Sequence, residues 1–142
     1  MVSISQLYER AIAQGIEIDE MHTEELKASA YPQGWILIDP SKYDNDRAFK
    51  CNLAHEIAHC ETGSFYNVHS RFDLRAKCEY KANKRAAQIL MPFNEVAQAL
   101  RDGVDTTWEL AEVFEVTEEF AAMAVRMYED KLQQTIGMED AR

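Results

Sequence analysis

The sequence lacks any long apolar run. Nowhere do about 18 consecutive apolar residues occur, the length a membrane-spanning helix needs, and the opening MVSISQLYERAIAQGIEIDE has no apolar stretch suited to a secretion signal. A membrane or secreted protein is therefore not expected, and a cytoplasmic one is. Cysteine is also scarce. Cys51, Cys60 and Cys78 are odd in number and irregular in spacing, which argues against a disulfide framework and for reduced, buried thiols. Positive charge is in short supply: 15 Lys and Arg face 25 Asp and Glu, leaving a net charge of -10. Such a field repels phosphate backbones and anionic lipid, so nucleic acid and membrane surfaces are not the expected partners and a protein or peptide is. With 3 Pro and 5 Gly, no Pro/Gly/Ser-rich linker divides the chain, and no repeat or low-complexity segment is present.

The 142 residues are 46% hydrophobic, enough for one core. The expected fold is α+β and compact, with residues 1–92 forming a core and residues 93–142 a helical region packed on it. Ile4, Leu7, Tyr8 and Ile12 share one face of a helix over 4–14, which Gly15 ends. IEI at 16–18, KASAY at 27–31 and WILID at 35–39 read as three short strands of a small antiparallel sheet. A helix follows from about Asp44 to Thr62, capped by Asp44 or Asn45 and stopped by Gly63, with Phe49, Leu53, Ile57, Ala54 and Ala58 as its buried stripe. A second long helix, about 73–90, turns Leu74, Cys78, Ala82, Ala86 and Ile89 or Leu90 inward and ends before Pro92. Three helices are expected beyond it, capped by Asn94, by Thr106 paired with Glu109, and by Thr117, with a frayed tail after Gly137. Trp35, Trp108, Phe114, Met123 and Met127 sit at core-like spacings, and His22 reads as a surface residue.

The chemistry is concentrated in LAHEIAHCETGSFYN, residues 53–67. His55 and His59 are four residues apart on a predicted helix, so their imidazoles stack on one face about 6 Å apart and can grip one Zn²⁺ ion. Glu56 is rotated away from ligation but stays near the open coordination position, where a carboxylate can act as general base and then acid in peptide hydrolysis. Mn²⁺ and Fe²⁺ are alternatives to zinc. A catalytic zinc wants a third protein ligand. Glu79 is the best placed, on the next long helix, with Asn83 one turn beyond it to orient a ligand histidine. Glu61 is too near on the same helix, and Asp73 lacks a partner at the equivalent offset. Cys60 and Cys78 abut these residues, which leaves a thiolate ligand as a further alternative. Tyr66 and His69, in the loop between the two helices, are candidates to donate a hydrogen bond to a tetrahedral oxyanion.

LAHEIAHCETGSFYN followed by EYKANKRAAQILMP, residues 79–92, resembles the ImmA/IrrE family of metallopeptidases, especially the short proteins of phages and integrative elements. The likeness is good over about 35–92 and looser over TTWELAEVFEVTEEFAAMAVRMY. It implies a minimal zincin, gluzincin-like fold, with His55, His59 and Glu79 as ligands and Glu56 as base. It also implies an anti-repressor function, the site-specific cleavage of a helix-turn-helix repressor of a mobile element. The chain departs from many relatives at Lys81, where they carry a further acid, and at Arg85, where they carry an aromatic residue.

Two other readings compete. A protein of this fold could inactivate a repressor by association alone, without catalysis. The helix, turn and helix of WELAEVFEVTEEFAAMAVRMY also outline a DNA-binding unit, but its second helix opens with Glu118 and Glu119 and offers Arg126 as its first cation, the wrong charge for phosphates.

Overall fold

A computed structural model describes the backbone of residues 1–140 and the side chains of residues 1–137. Helix α1 (Ile4–Ala13) is followed by strands β1 (Glu17–Glu20), β2 (Ala28–Tyr31) and β3 (Trp35–Ile38), and by a short 3₁₀ turn, Pro40–Lys42. Then come α2 (Asp46–Thr62), α3 (Phe72–Leu90), α4 (Phe93–Arg101), α5 (Thr107–Phe114) and α6 (Glu118–Asp140). The fold is α+β, six helices with one three-stranded sheet.

The sheet is mixed rather than antiparallel. Its order is β1-β3-β2, with β3 antiparallel to β2 and parallel to β1. The β2–β3 hairpin reverses the chain through Gly34, whose φ of 83° suits a residue without a Cβ. β1 takes the far side of β3, and two reversals of direction make that pair parallel. Local patterning carries the strands themselves but not which strand each will neighbour. The arrangement leaves β2 at an edge.

Helix α2 is built as its residues dictate. Asn45 caps it by accepting from Ala48 N, Asp46 lies in the positive first turn, and Gly63 closes it in the left-handed conformation at φ 65°. Leu53, Ala54, Ile57 and Ala58 are wholly buried, and each Leu or Ile so removed from water contributes roughly 1.5–3 kcal/mol. The sheet covers one side of α2 and α3 the other. Ala82 and Ala86 are buried on α3 as Ala54 and Ala58 are on α2, and these short side chains allow a close helix pair. The C-terminal helices rest on this frame. Tyr128 Oη of α6 donates to Met91 O at 2.9 Å, and the buried Lys50 Nζ of α2 donates to Val2 O and to Phe114 O at the end of α5.

Several expectations need correction. Ile12 is 74% exposed, because Leu7 and Ala11 provide the buried face of α1. Leu74 is exposed, since α3 begins beyond the edge of the core and turns inward only from Cys78. Trp108 is 61% exposed, because Leu110, Ala111 and Phe114 bury the opposite face of α5. Asn94 does not cap α4: the helix starts at Phe93, with Pro92 supplying the extended residue before it and no side-chain bond. Thr106 and Thr117 cap as expected. The backbone of α6 continues through Gly137 to Asp140, and residues 141–142 lie outside those described. Among the described residues no helix is long and apolar enough to cross a membrane.

Candidate metal centre

Three side chains able to hold a metal ion meet between α2 and α3. His55 and His59 stand one turn apart on α2, and Glu79 reaches them from α3. Their ligand atoms all lie within 4.8 Å of one another. His55 Nε2 and His59 Nε2 are 3.1 Å apart, Glu79 Oε2 is 3.0 Å from His55 Nε2, and Glu79 Oε1 is 3.3 Å from His59 Nε2. Two imidazoles and one carboxylate form a donor set that suits a zinc-like cation and leave one coordination position free. The residues present therefore fit a metal.

The ring of His59 is held in the tautomer that ligation needs. Gly63 turns the chain back on itself, Ser64 N bonds to His59 O at 3.3 Å, and the Ser64 carbonyl comes within 2.6 Å of His59 Nδ1. With Nδ1–H donating to that carbonyl, Nε2 presents its lone pair to the site. Glu79 is also tied. Tyr66 Oη donates to Glu79 Oε1 at 2.7 Å. Asn83 lies beside His55 and favours its charged form.

Burial and charge work in opposition here. Burial would lower the His55 pKa, but the hydrogen bond to Glu79 and the nearby charge of Glu56 raise it above the ordinary value. For His59 burial prevails and the shift is downward, despite the Ser64 carbonyl. The hydrogen bond from His55 brings Glu79 down to about 2, against the cost of its burial. Glu56, 8% exposed, is pushed up to about 7 by burial, with His55 opposing and Glu79 reinforcing. The hydrogen bond to Glu79, with burial, raises the Tyr66 phenol to about 12.

A cleft of about 760 Å³ opens beside this group. One wall is the edge strand β2 from Ala28 to Tyr31; the other is Phe65 to Val68 with Arg75, and Glu56, His59 and Glu79 form part of the lining. His55, Glu56, His59, Glu79, Asn83 and Tyr66 are thus brought together. His69 is not: its side chain is exposed and outside the cleft lining, and its backbone N–H donates to Asn67 Oδ1. The rival oxygens are engaged elsewhere. Glu61 binds Arg10, Gln14 and Arg85, and Asp73 pairs with Arg71 at the surface. Arg85 is thereby committed to Glu61, at 2.8 Å. The cysteines stand apart from the ligand set: burial pushes the Cys60 thiol up to about 11, and Cys78 Sγ donates to Phe65 O. Sequence reasoning missed the Ser64 carbonyl and Arg75, and it did not identify β2 as the strand that borders the cleft. Only Gly63 hinted at the first.

A family described as Peptidase_M78, IrrE N-terminal-like domain, matches residues 13–126. Neither a curated protein nor a solved structure gives a significant match. The matched region runs from the end of α1 into α6 and contains the sheet, the histidine helix, Glu79 and both walls of the cleft. The chain belongs to the Peptidase_M78 family, as an IrrE-like, metallopeptidase-like domain.

Proposed function

We propose that this chain is a zinc-dependent endopeptidase of the cytoplasm, cutting a helix-turn-helix repressor of a phage or mobile element at one site. The observation that carries the reading is the convergence of His55, His59 and Glu79 beneath a cleft bordered by Glu56 and by a strand with a free edge. His55, His59 and Glu79 would hold the metal, which supplies acidification of a coordinated water and polarisation of the scissile carbonyl. An extended peptide pairs with the open edge of β2, so its backbone lies along the cleft and its side chains meet the two walls. Glu56 takes the proton of the attacking water and returns it to the leaving amine. A carboxyl whose pKa burial brings to about 7 is suited to both transfers near neutral pH. Tyr66 orients Glu79 through its phenol, and that single O–H would serve a developing oxyanion only by swinging away from Glu79. The repressor as target follows from the family resemblance, and a net charge of -10 favours encounter with a basic DNA-binding protein.

The proposed target is encoded beside this chain, and the test is to co-express that helix-turn-helix repressor with the wild-type chain or with Glu56→Gln and to follow repressor mass. Wild type should give two fragments. Glu56→Gln should keep its fold and metal while cutting about 10²–10⁴-fold more slowly. Equal cutting by both, or an intact and still active repressor with both, would sink the proposal. An intact repressor that is held by either chain and released from DNA would instead favour inactivation by association.

A further inference from the structure

The wall of the cleft opposite β2 holds one guanidinium, that of Arg75, and its charge is uncompensated. Among the cleft-lining residues it is the sole Lys or Arg, beside two carboxylates, Glu56 and Glu79, and a mostly apolar remainder. Arg75 is partly buried and takes part in no ion pair among the described residues, unlike Arg10, Arg47, Arg71 and Arg85. Among the described residues its one hydrogen bond runs from Nη2 to the Val68 carbonyl at 2.7 Å, and its guanidinium carbon lies 5.8 Å from the centroid of the Tyr66 ring. Its Nε is buried with no acceptor among the described residues. A partly desolvated cation with donors to spare, in a chain of net charge -10, is an unusual use of a scarce charge.

We infer that Arg75 is a specificity-determining residue that pairs with an acidic side chain of the bound peptide, a few residues from the scissile bond. This rests on the cleft being the peptide site. The carboxylate is the favoured partner because the planar fork of arginine matches it and because pairing at a partly buried wall is stronger than in open water. The position follows from α3. Arg75 precedes Glu79 by one turn, a rise of about 6 Å, and an extended peptide advances about 3.3 Å per residue, so for a peptide running along α3 the acid falls roughly two residues from the bond that is cut. The competing role for Arg75 is purely mechanical, a staple holding the Phe65–Val68 wall through Val68 O and the Tyr66 ring.

The two roles separate in a binding experiment with the zinc-loaded Glu56→Gln chain, which holds peptides without cutting them. The probes are dye-labelled, end-blocked heptapeptides of Ala, Val and Leu carrying a single Glu scanned through each position, with Gln twins, read by fluorescence anisotropy. At one position Glu should bind about 10-fold or more tighter than Gln. Adding Arg75→Gln should abolish that preference, Arg75→Lys should keep a weaker one, and Arg75→Glu should transfer it to the corresponding Lys peptide. Equal binding of Glu and Gln twins throughout, or a preference that survives Arg75→Gln, overturns the inference and leaves the peptidase reading intact. A uniform loss of affinity for both twins in Arg75→Gln and Arg75→Lys identifies the staple role instead. Failure of every peptide to bind counts against the peptide cleft itself, and the inference falls with it.

Discussion

Tyr66 and Ser64 show how single groups beyond the three candidate ligands shape the candidate centre. The Ser64 carbonyl fixes which nitrogen of His59 faces the site, and the Tyr66 phenol holds one oxygen of Glu79. Partners of this kind commonly change metal affinity by about 10–100-fold when removed. Tyr66→Phe, which keeps the ring against Arg75 but loses the hydroxyl, is expected to weaken zinc binding about tenfold in competition with a chromogenic chelator. Affinity equal to wild type would mean the phenol merely rests on Glu79. At this scale the sequence was legible where chemistry resides in side-chain type and offset: an offset of four puts His55 and His59 on one face of α2, and α3 brings Glu79 to them as a third group able to hold a metal. The Ser64 contact was not, because a backbone carbonyl carries no signature in the sequence. Arg75 was not either, since one cation in a helix of mixed charge looks like any other until its lack of a partner is seen.

Among the elements, α1, α2 and α3 are locked together by Glu61. Its side chain is almost wholly buried and receives Arg10 from α1 at 2.5 and 2.8 Å, Gln14 just beyond α1 at 2.9 Å and Arg85 from α3 at 2.8 Å. Burial would raise the Glu61 pKa, but these donors bring it down from 4.5 to about 2. A depressed carboxylate stabilises the fold above its unfolded pKa and ceases to do so as pH falls through the folded one. The contribution is therefore lost between about pH 4.5 and 2. Glu61→Gln should cost about 1–2 kcal/mol near neutral pH, a figure held down by the partial exposure of both arginines, and the gap from wild type should narrow across that acid range. Denaturant melts at several pH values would check it, and a gap independent of pH would contradict it.

Gly63 is the second control point at this scale. With φ at 65°, Gly63→Ala should destabilise by about 1 kcal/mol and, by shifting Ser64, weaken metal binding as well. A variant less stable but unchanged in zinc affinity would uncouple the helix end from the site. Helix α2 could be read from the sequence because caps, stripe and motif agree on one element. The β1–β3 pairing could not, being a choice among neighbours that no local pattern records. Ile12, Leu74 and Trp108 misled for a related reason: an apolar residue on the margin of a helical stripe faces water when no neighbouring element reaches it.

On the scale of the whole molecule, one buried cluster runs from Leu7 and Ile36 through Leu53 and Ala86 to Phe120 and Leu132, so the helices after Pro92 share the core on which the candidate metal site is built. That continuity, the cleft beside an edge strand and membership of an IrrE-like family all bear on one claim, that this chain is organised around a single divalent metal. The most direct measurement is elemental analysis of the purified wild-type chain, His55→Ala, Glu79→Ala and Glu56→Gln, each saturated with zinc and then desalted. Wild type and Glu56→Gln should carry one zinc per chain, and the two ligand variants should retain little or none. Stoichiometric zinc in both His55→Ala and Glu79→Ala, or none in a folded wild type, would contradict the account.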